Sequence, residues 1–434
     1  MIRILCFKLI IIRPCVQTRM RSQTPCIQAF RAIRFLLLPT TALHRGDRVD
    51  FPLRPLSRHP HPSQRLSNAV FPMTRSKVFV VVGTRPEAIK MAPVYKALMA
   101  HAGMEPILIS TGQHKTMLDQ VFGWFGLEPD EDLGVMRPSQ TLNGVLTRSL
   151  SGLDELITKH RPDSILAQGD TTTVLAAALA SFNRGLRFGH VEAGLRTYDL
   201  EQPYPEEGFR QMASRVATWH FAPTQRAVER LEDENVQGEI HMVGNTVIDA
   251  LELTAMGHPD TGLKLDGSDL CLITGHRREN HGDGFRRIFK GLADLAAAFP
   301  DIRFVYPVHL NPRVREAVDE TLAGIGNLTL IDPVPYPQMV ALMKAAKLII
   351  TDSGGIQEEA PSFQTPVLVM RETTERQEAV EAGVAKLVGT DPDVLYREAS
   401  KLLTDKSAHA AMTRETNPFG DGKSSRRVVE ILAR

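Results

Sequence analysis

From Lys77 onward the chain alternates short β-branched runs with longer amphipathic stretches, a pattern that restricts it to parallel α/β architectures. The first set of strands falls at 78–82, 107–110, 164–168, 188–191 and 220–222 and ends at 241–243. Residues 78–82 are apolar throughout, as a strand buried on both faces requires. Residues 176–182 form one of the intervening helical patterns. A second set follows at 270–274, 303–308, 328–331, 348–351, 367–370 and 386–388. Right-handed crossovers make each set a doubly wound domain, and two in tandem leave a cleft between them. The expected fold class is α/β, with one domain over 77–243 and the other over 244–424. Ligands of such sheets bind outside the carboxyl ends of the strands.

Residues 1–76 show no sustained period of 2 or 3.6. They carry 13 basic and two acidic side chains, a net charge of +11. The whole chain has net charge +1, so the remainder carries −10. Arg- and Pro-rich stretches such as Pro52-Leu53-Arg54-Pro55 bury too little apolar area to offset the entropy of ordering them. The expectation for 1–76 is a disordered or mis-annotated extension, with Met73 as the start. The alternatives are an organellar transit peptide and a functional basic tail. Arg3, Lys8 and Arg13 interrupt the apolar region that a cleavable secretory signal needs. Three of the four cysteines (Cys6, Cys15 and Cys26) lie in this segment, and only Cys271 beyond it, which excludes a disulfide scaffold. Apolar runs are short, such as 9–12 and 35–38, and none approaches the ~18 residues that span a bilayer. The near-neutral total argues against a nucleic-acid binder. The expected protein is cytoplasmic, with no membrane or nucleic-acid partner.

Polar clusters sit just after the strands in both halves. Gly83-Thr84-Arg85-Pro86-Glu87 follows the first strand and opens a helix; the free amides of a helix start, with Arg85 beside them, suit an anion. A glycine turn with a surface arginine is the alternative. The spacing is neither G-x-G-x-x-G nor a P-loop, so no dinucleotide or nucleoside triphosphate is implied. In the second half Asp352-Ser353-Gly354-Gly355-Ile356-Gln357-Glu358-Glu359 follows an apolar strand. Ser353, Gly354 and Gly355 suit a phosphate, and Glu359 is placed to accept hydrogen bonds from ribose hydroxyls. A glycine-rich cap with no ligand is the competing reading. Together the two clusters point to a phosphorylated or nucleotide-linked ligand. Asp170 and Glu192 end successive strands, and Pro205-Glu206-Glu207 follows with Arg210 one turn beyond Glu206. Neighbouring carboxylates push each other's pKa values apart, which lets a base and an acid coexist. Glu207 reads as a cap or ion-pair partner. His276 and Arg277 follow a strand of the second half. His190, His276, His309, Asp170 and Glu192 lack close metal-ligand spacing, so no metal is expected.

Together these clusters, with Gln113-His114, Gly169-Asp170-Thr171-Thr172-Thr173, Gly244-Asn245-Thr246, Thr374-Glu375-Arg376 and Asn417-Pro418-Phe419-Gly420-Asp421-Gly422, make the chain resemble the non-hydrolysing UDP-N-acetylglucosamine 2-epimerases of bacteria. The resemblance runs from about residue 77 to 434. It implies the glycosyltransferase-B architecture, two Rossmann-like domains with a last helix, about 425–434, returning to the first. It also implies C2 epimerisation of UDP-N-acetylglucosamine to UDP-N-acetylmannosamine for cell-envelope polysaccharide, without cofactor, in a homodimer. By resemblance Asp170, Glu192 and Glu206 are the acid/base carboxylates and His276 assists the diphosphate leaving group. Arg85, Lys90, Arg210 and Arg277 balance charge, Ser353, Gly354 and Gly355 hold phosphate, and Glu359 holds the ribose. Gln113 and His114 mark a possible allosteric site for a second substrate molecule. Phe209 and Gln377 stand where family members usually have Asn and Pro. The alternatives are an epimerase for a UDP-diacetamido-uronic sugar, a hydrolysing 2-epimerase, and a transferase of the same architecture.

Overall fold

The computed structural model describes residues 75–113, 115–277, 282–414 and 416–434. The expected N-terminal extension, apart from Arg75 and Ser76, lies outside the described residues, as do His114, Arg278 and Glu279. The first half runs β1 (Ser76–Val82), α1 (Arg85–Ala100), β2 (Met104–Ser110), α2 (Lys115–Phe125), β3 (Glu131–Asp132), α3 (Leu142–His160), β4 (Ser164–Gln168) and α4 (Thr172–Arg184). It continues β5 (Arg187–Val191), α5 (Glu206–Ser214), β6 (Trp219–Ala222), α6 (Gln225–Asp233), β7 (Glu239–Met242) and α7 (Thr246–Met256). The second half runs β8 (Leu270–Thr274), α8 (Asp283–Ala298), β9 (Arg303–Pro307), α9 (Pro312–Thr321), β10 (Leu328–Ile331), α10 (Tyr336–Ala345), β11 (Ala346–Thr351) and α11 (Gly354–Glu359). It ends β12 (Val367–Val369), α12 (Gln377–Glu381), β13 (Ala385–Leu387), α13 (Pro392–Thr404), α14 (Lys406–Ala411) and α15 (Ser424–Leu432).

Two sheets result, both parallel throughout: β3-β2-β1-β4-β5-β6-β7 and β10-β9-β8-β11-β12-β13. In each, the order reverses beside the first strand, β1 or β8, which creates the crevice where doubly wound sheets bind ligands. Side chains alternate across each sheet because a strand has period 2. Val78, Val80 and Val82 enter one core and Phe79 and Val81 the other. In the second sheet Cys271 and Ile273 face one core, Leu270 and Leu272 the opposite one. The structure adds one strand to the sequence reading, the two-residue β3.

α7 and α15 tie the halves together. Val428, Val429 and Ile431 of α15 bury in the same core as Val94 and Leu98 of α1. The amides of Ser424 and Ser425 donate to the Asp249 carboxylate of α7 at 3.2 and 2.7 Å, capping the start of α15. Among the described residues no helix is long and apolar enough to cross a membrane.

The start of α1 depends on Gly83. A Cβ there would lie 2.2 Å from Thr173 Oγ1 and 2.6 Å from Thr111 Oγ1. Those two hydroxyls are hydrogen-bonded to each other at 3.1 Å, so neither is free to retreat. Gly83→Ala is therefore expected to destabilise the fold by about 1–3 kcal/mol through overpacking. The check is a denaturant midpoint that falls at unchanged slope; an unchanged midpoint refutes it.

Candidate active site

The Thr84–Glu87 capping box fixes the N-terminus of α1. The Glu87 carboxylate accepts from the amide of Thr84 at 3.0 Å, from the amide of Gly83 and from the Thr171 hydroxyl. Burial raises its pKa to about 7 against these bonds. One turn further along α1, Lys90 points into the cleft.

β4 and β5 deliver the two carboxylates. Asp170 follows the left-handed Gly169, whose carbonyl accepts from His190 Nε2 at 2.7 Å. Burial drives the His190 pKa down to about 3, so the ring is neutral and carries its proton on Nε2. Asp170 Oδ2 pairs with an Arg210 guanidinium nitrogen at 2.5 Å. Glu192 has φ 63°, a left-handed conformation that costs a non-glycine residue about 1–3 kcal/mol and is concentrated at functional sites. Its Oε2 accepts from Lys90 Nζ at 2.5 Å and from Gln168 Nε2 at 2.6 Å.

The second half closes the site. Asp352 Oδ2 accepts from the amides of His276 and Arg277 at 2.9 and 2.8 Å, and Oδ1 lies 3.3 Å from His276 Nδ1. The His276 ring stacks on His309 at 5.6 Å between centroids; burial lowers its pKa and Asp352 opposes the fall. Glu359 accepts from the Tyr336 hydroxyl at 2.7 Å. Burial pushes its pKa up to about 7.

Two adjoining cavities share Pro86, Lys90 and Arg376. The smaller, about 920 Å³, is lined by Lys90, Asp170, Glu192, Arg210 and Arg277 among others. The larger, about 1480 Å³ including open solvent, is lined by Arg85, Lys90, His276, Ser353, Gly355 and Glu359 among others. Gly354 lies under Arg376, where a Cβ would sit 2.9 Å from the guanidinium carbon. Glu206 opens α5 but lines neither cavity, although its buried Oε2 has no hydrogen-bond partner among the described residues. Gln113 lines neither cavity, and His114 lies outside the described residues. Among the described residues no three His, Cys, Asp or Glu side chains gather as metal ligands would.

The family model described as UDP-N-acetylglucosamine 2-epimerase matches residues 96–433. A UDP-N-acetylglucosamine 2-epimerase of Yersinia pestis is 49% identical over 368 residues, covering 82% of this chain and 98% of that protein. The chain belongs to the UDP-N-acetylglucosamine 2-epimerase family. A crystal structure of UDP-GlcNAc 2-epimerase from Neisseria meningitidis bound to UDP-GlcNAc superposes with TM-score 0.76 at 42% identity, covering 82% of this chain and 99% of that one. A glycotransferase of kitacinnamycin, 13% identical with TM-score 0.57 over 83% of this chain and 99% of that one, shares the fold alone. The architecture is glycosyltransferase-B: two Rossmann-like sheets facing a cleft. Membership makes the chain an isomerase.

Both positions expected to depart from the family pattern adjoin site contacts. Arg210 reaches Asp170 with Phe209 beside it, and Gln377 Nε2 donates to the Thr374 carbonyl at 2.7 Å. The sequence reading assigned no role to Glu358 or Arg376, both lining the larger cavity. It also passed over Arg230, which lines the smaller. Glu358 lies inside the motif that supplied Glu359, and Arg376 ends the quoted Thr374-Glu375-Arg376; neither spacing says which side chain faces the cleft.

Glu207 is fully buried and structural. It accepts from the amides of Thr197 and Tyr198 at 3.0 and 3.1 Å and from Gln211 at 2.7 Å, and lies 3.3 Å from Arg210. Burial works to raise its pKa, but these partners outweigh it and hold the carboxyl low. Its stabilisation is therefore present above the ordinary carboxylate range and is lost as pH falls through the depressed value. Glu207→Ala is expected to cost about 3 kcal/mol by stranding buried donors and Arg210. A thermal midpoint equal to wild type would refute this structural role.

Proposed function

We propose that the chain interconverts UDP-N-acetylglucosamine and UDP-N-acetylmannosamine by eliminating UDP and adding it back. One observation carries this reading. Asp170 and Glu192 follow adjacent strand ends and line one cavity, each paired to a cation, while phosphate- and ribose-suited groups line the adjoining cavity. The family membership supplies the substrate. Solved relatives are described as bound to UDP-GlcNAc or UDP.

The chemistry dictates the order of events. The C2 proton has no adjacent carbonyl, so direct deprotonation is too slow. Breaking the C1–O bond develops an oxocarbenium ion that acidifies the proton. A carboxylate takes the C2 proton, the C1–C2 double bond forms, and UDP departs with the C1–O electron pair. The intermediate is 2-acetamidoglucal. UDP oxygen then re-adds at C1 while a second acid protonates C2 from the opposite face. No net oxidation occurs. Asp170, Glu192 and Glu206 are assigned to the proton transfers and His276 to the departing diphosphate. Arg85, Lys90, Arg210 and Arg277 balance its charge, Ser353, Gly354 and Gly355 hold its phosphates, and Glu359 holds the ribose. Allosteric binding of substrate beside Gln113 and His114 belongs to the same reading. So do a homodimer, a cytoplasmic location and a role in envelope polysaccharide synthesis, which rest on family membership alone.

Turnover in heavy water is expected to place deuterium at C2 of the product. Asp170→Asn keeps the side chain's shape but removes its basicity, and is expected to cost about 10²–10⁴-fold in turnover with UDP affinity nearly unchanged. Absence of deuterium at C2, or near wild-type turnover in the variant, refutes the mechanism. Release of free N-acetylmannosamine with UDP would instead favour a hydrolysing enzyme.

Glu359 adds a pH dependence. Ribose hydroxyls donate to the ionised carboxylate, and its pKa is about 7. Protons therefore compete with nucleotide, and binding weakens as pH falls. Through this group UDP affinity should drop about tenfold between pH 8 and pH 6. Calorimetry on wild type and Glu359→Gln isolates the effect, because the titration of UDP itself is common to both. Equal pH dependence in the two proteins refutes the assignment.

A further inference from the structure

Glu358 is 2% exposed and faces the cleft from α11. Its Oε1 accepts from Arg376 Nε at 2.9 Å and Nη2 at 2.8 Å. Its Oε2 lies 3.7 Å from Lys90 Nζ and 3.4 Å from Asn245 Nδ2. Lys90 thus stands between two buried carboxylates on opposite sides of the cleft, 2.5 Å from Glu192 and 3.7 Å from Glu358. The charged groups that act most on Glu192 are Lys90 from α1, Glu358 from α11 and Arg376 ahead of α12; Asp170, Arg210 and Arg277 line the same cavity.

An ammonium held 2.5 Å from a carboxylate opposes its taking up a proton. A catalytic carboxylate so held needs the cation to have somewhere else to go. We infer that Glu358 is a positioning residue for the epimerase reaction, the second seat of Lys90, whose shift of about 1 Å from Glu192 toward Glu358 frees Glu192 to take or return the substrate proton. The inference rests on the assignment of Glu192 to proton transfer. The directions of the shifts agree with it: burial holds the Glu192 pKa above its ordinary value, Glu358 adds to the rise, and Lys90 and Arg376 oppose it. Lys90 is pulled down by burial, but Glu192 and Glu358 outweigh this and hold it above its ordinary value, so it remains a cation in either seat.

In Glu358→Gln, Lys90 has only Glu192 left, and Arg376 loses one of its two carboxylate partners, Glu375 remaining 3.6 Å away. Both changes lower the Glu192 pKa. Glu192 then becomes a weaker base or an emptier acid, so turnover falls whichever step it performs. The pH limb that disappears in Glu192→Gln should move to lower pH by about one unit, and turnover at pH 7 should fall about tenfold with KM within threefold. Glu358→Asp keeps the charge and should bring the limb back toward the wild-type position; should Glu358→Gln not fold, Glu358→Ser, which also removes the charge, takes its place. A merely structural Glu358 would alter thermal stability without moving the limb. A wild-type pH profile in a folded variant that lacks the Glu358 carboxylate overturns the inference while leaving the epimerase reading intact. Full activity with an unchanged limb in Glu192→Gln would instead remove the assignment on which it rests.

Discussion

The site depends on a row of charges that crosses the cleft, Glu192, Lys90, Glu358, Arg376 and Glu375, of which the carboxylates Glu192 and Glu358 are buried, Lys90 and Arg376 half-buried and Glu375 exposed at its end. No member is stable alone in such surroundings, because removing one partner of a buried pair costs about 3–5 kcal/mol. The first half supplies Glu192 and Lys90, and the second supplies Glu358, Arg376 and Glu375. The compensation is therefore complete only when the halves face each other. Their packing and their electrostatics are one problem, solved by bringing α1 and α11 together over a common cation.

The fold was legible because its physics is local. Buried parallel strands must be short and apolar, the helices between them amphipathic, and the handedness of the crossover leaves little choice of topology. β3 escaped because two residues, Glu131 and Asp132, carry no pattern to read. The cap of α15 by Asp249 was equally hidden. The bond joins residues 175 positions apart, and a lone aspartate in α7 gives no sign of a distant partner.

The site was legible in outline and opaque in detail for a related reason. Polar residues that directly follow strands of a doubly wound sheet are aimed at the crevice by the sheet itself, which is why Asp170, Glu192 and His276 stood out. On a helix no such rule holds. Glu358 and Glu359 are neighbours on α11, about 100° apart around its axis. One faces Lys90 and Arg376, the other Tyr336. Only packing decides which carboxylate sees which cation, and packing is not written at that spacing.

The carboxylates around the cleft show how far residue type underdetermines role. Glu87 is buried on amides and a hydroxyl, with no cation paired to it among the described residues, and its pKa rises to about 7. Glu207 is buried on amides with Arg210 beside it, and its pKa is held down. Both carboxylates accept hydrogen bonds from backbone amides, which ties them to the turns they cap. Glu192 differs in kind. Its backbone sits in a costly left-handed conformation, and its cation is shared with a rival carboxylate. A structural ion pair gains nothing from either feature, since strain and a divided counter-ion both weaken it. A group that must change protonation during a reaction gains from both: the turn aims it into the cleft, and the sharing keeps its two protonation states close in energy.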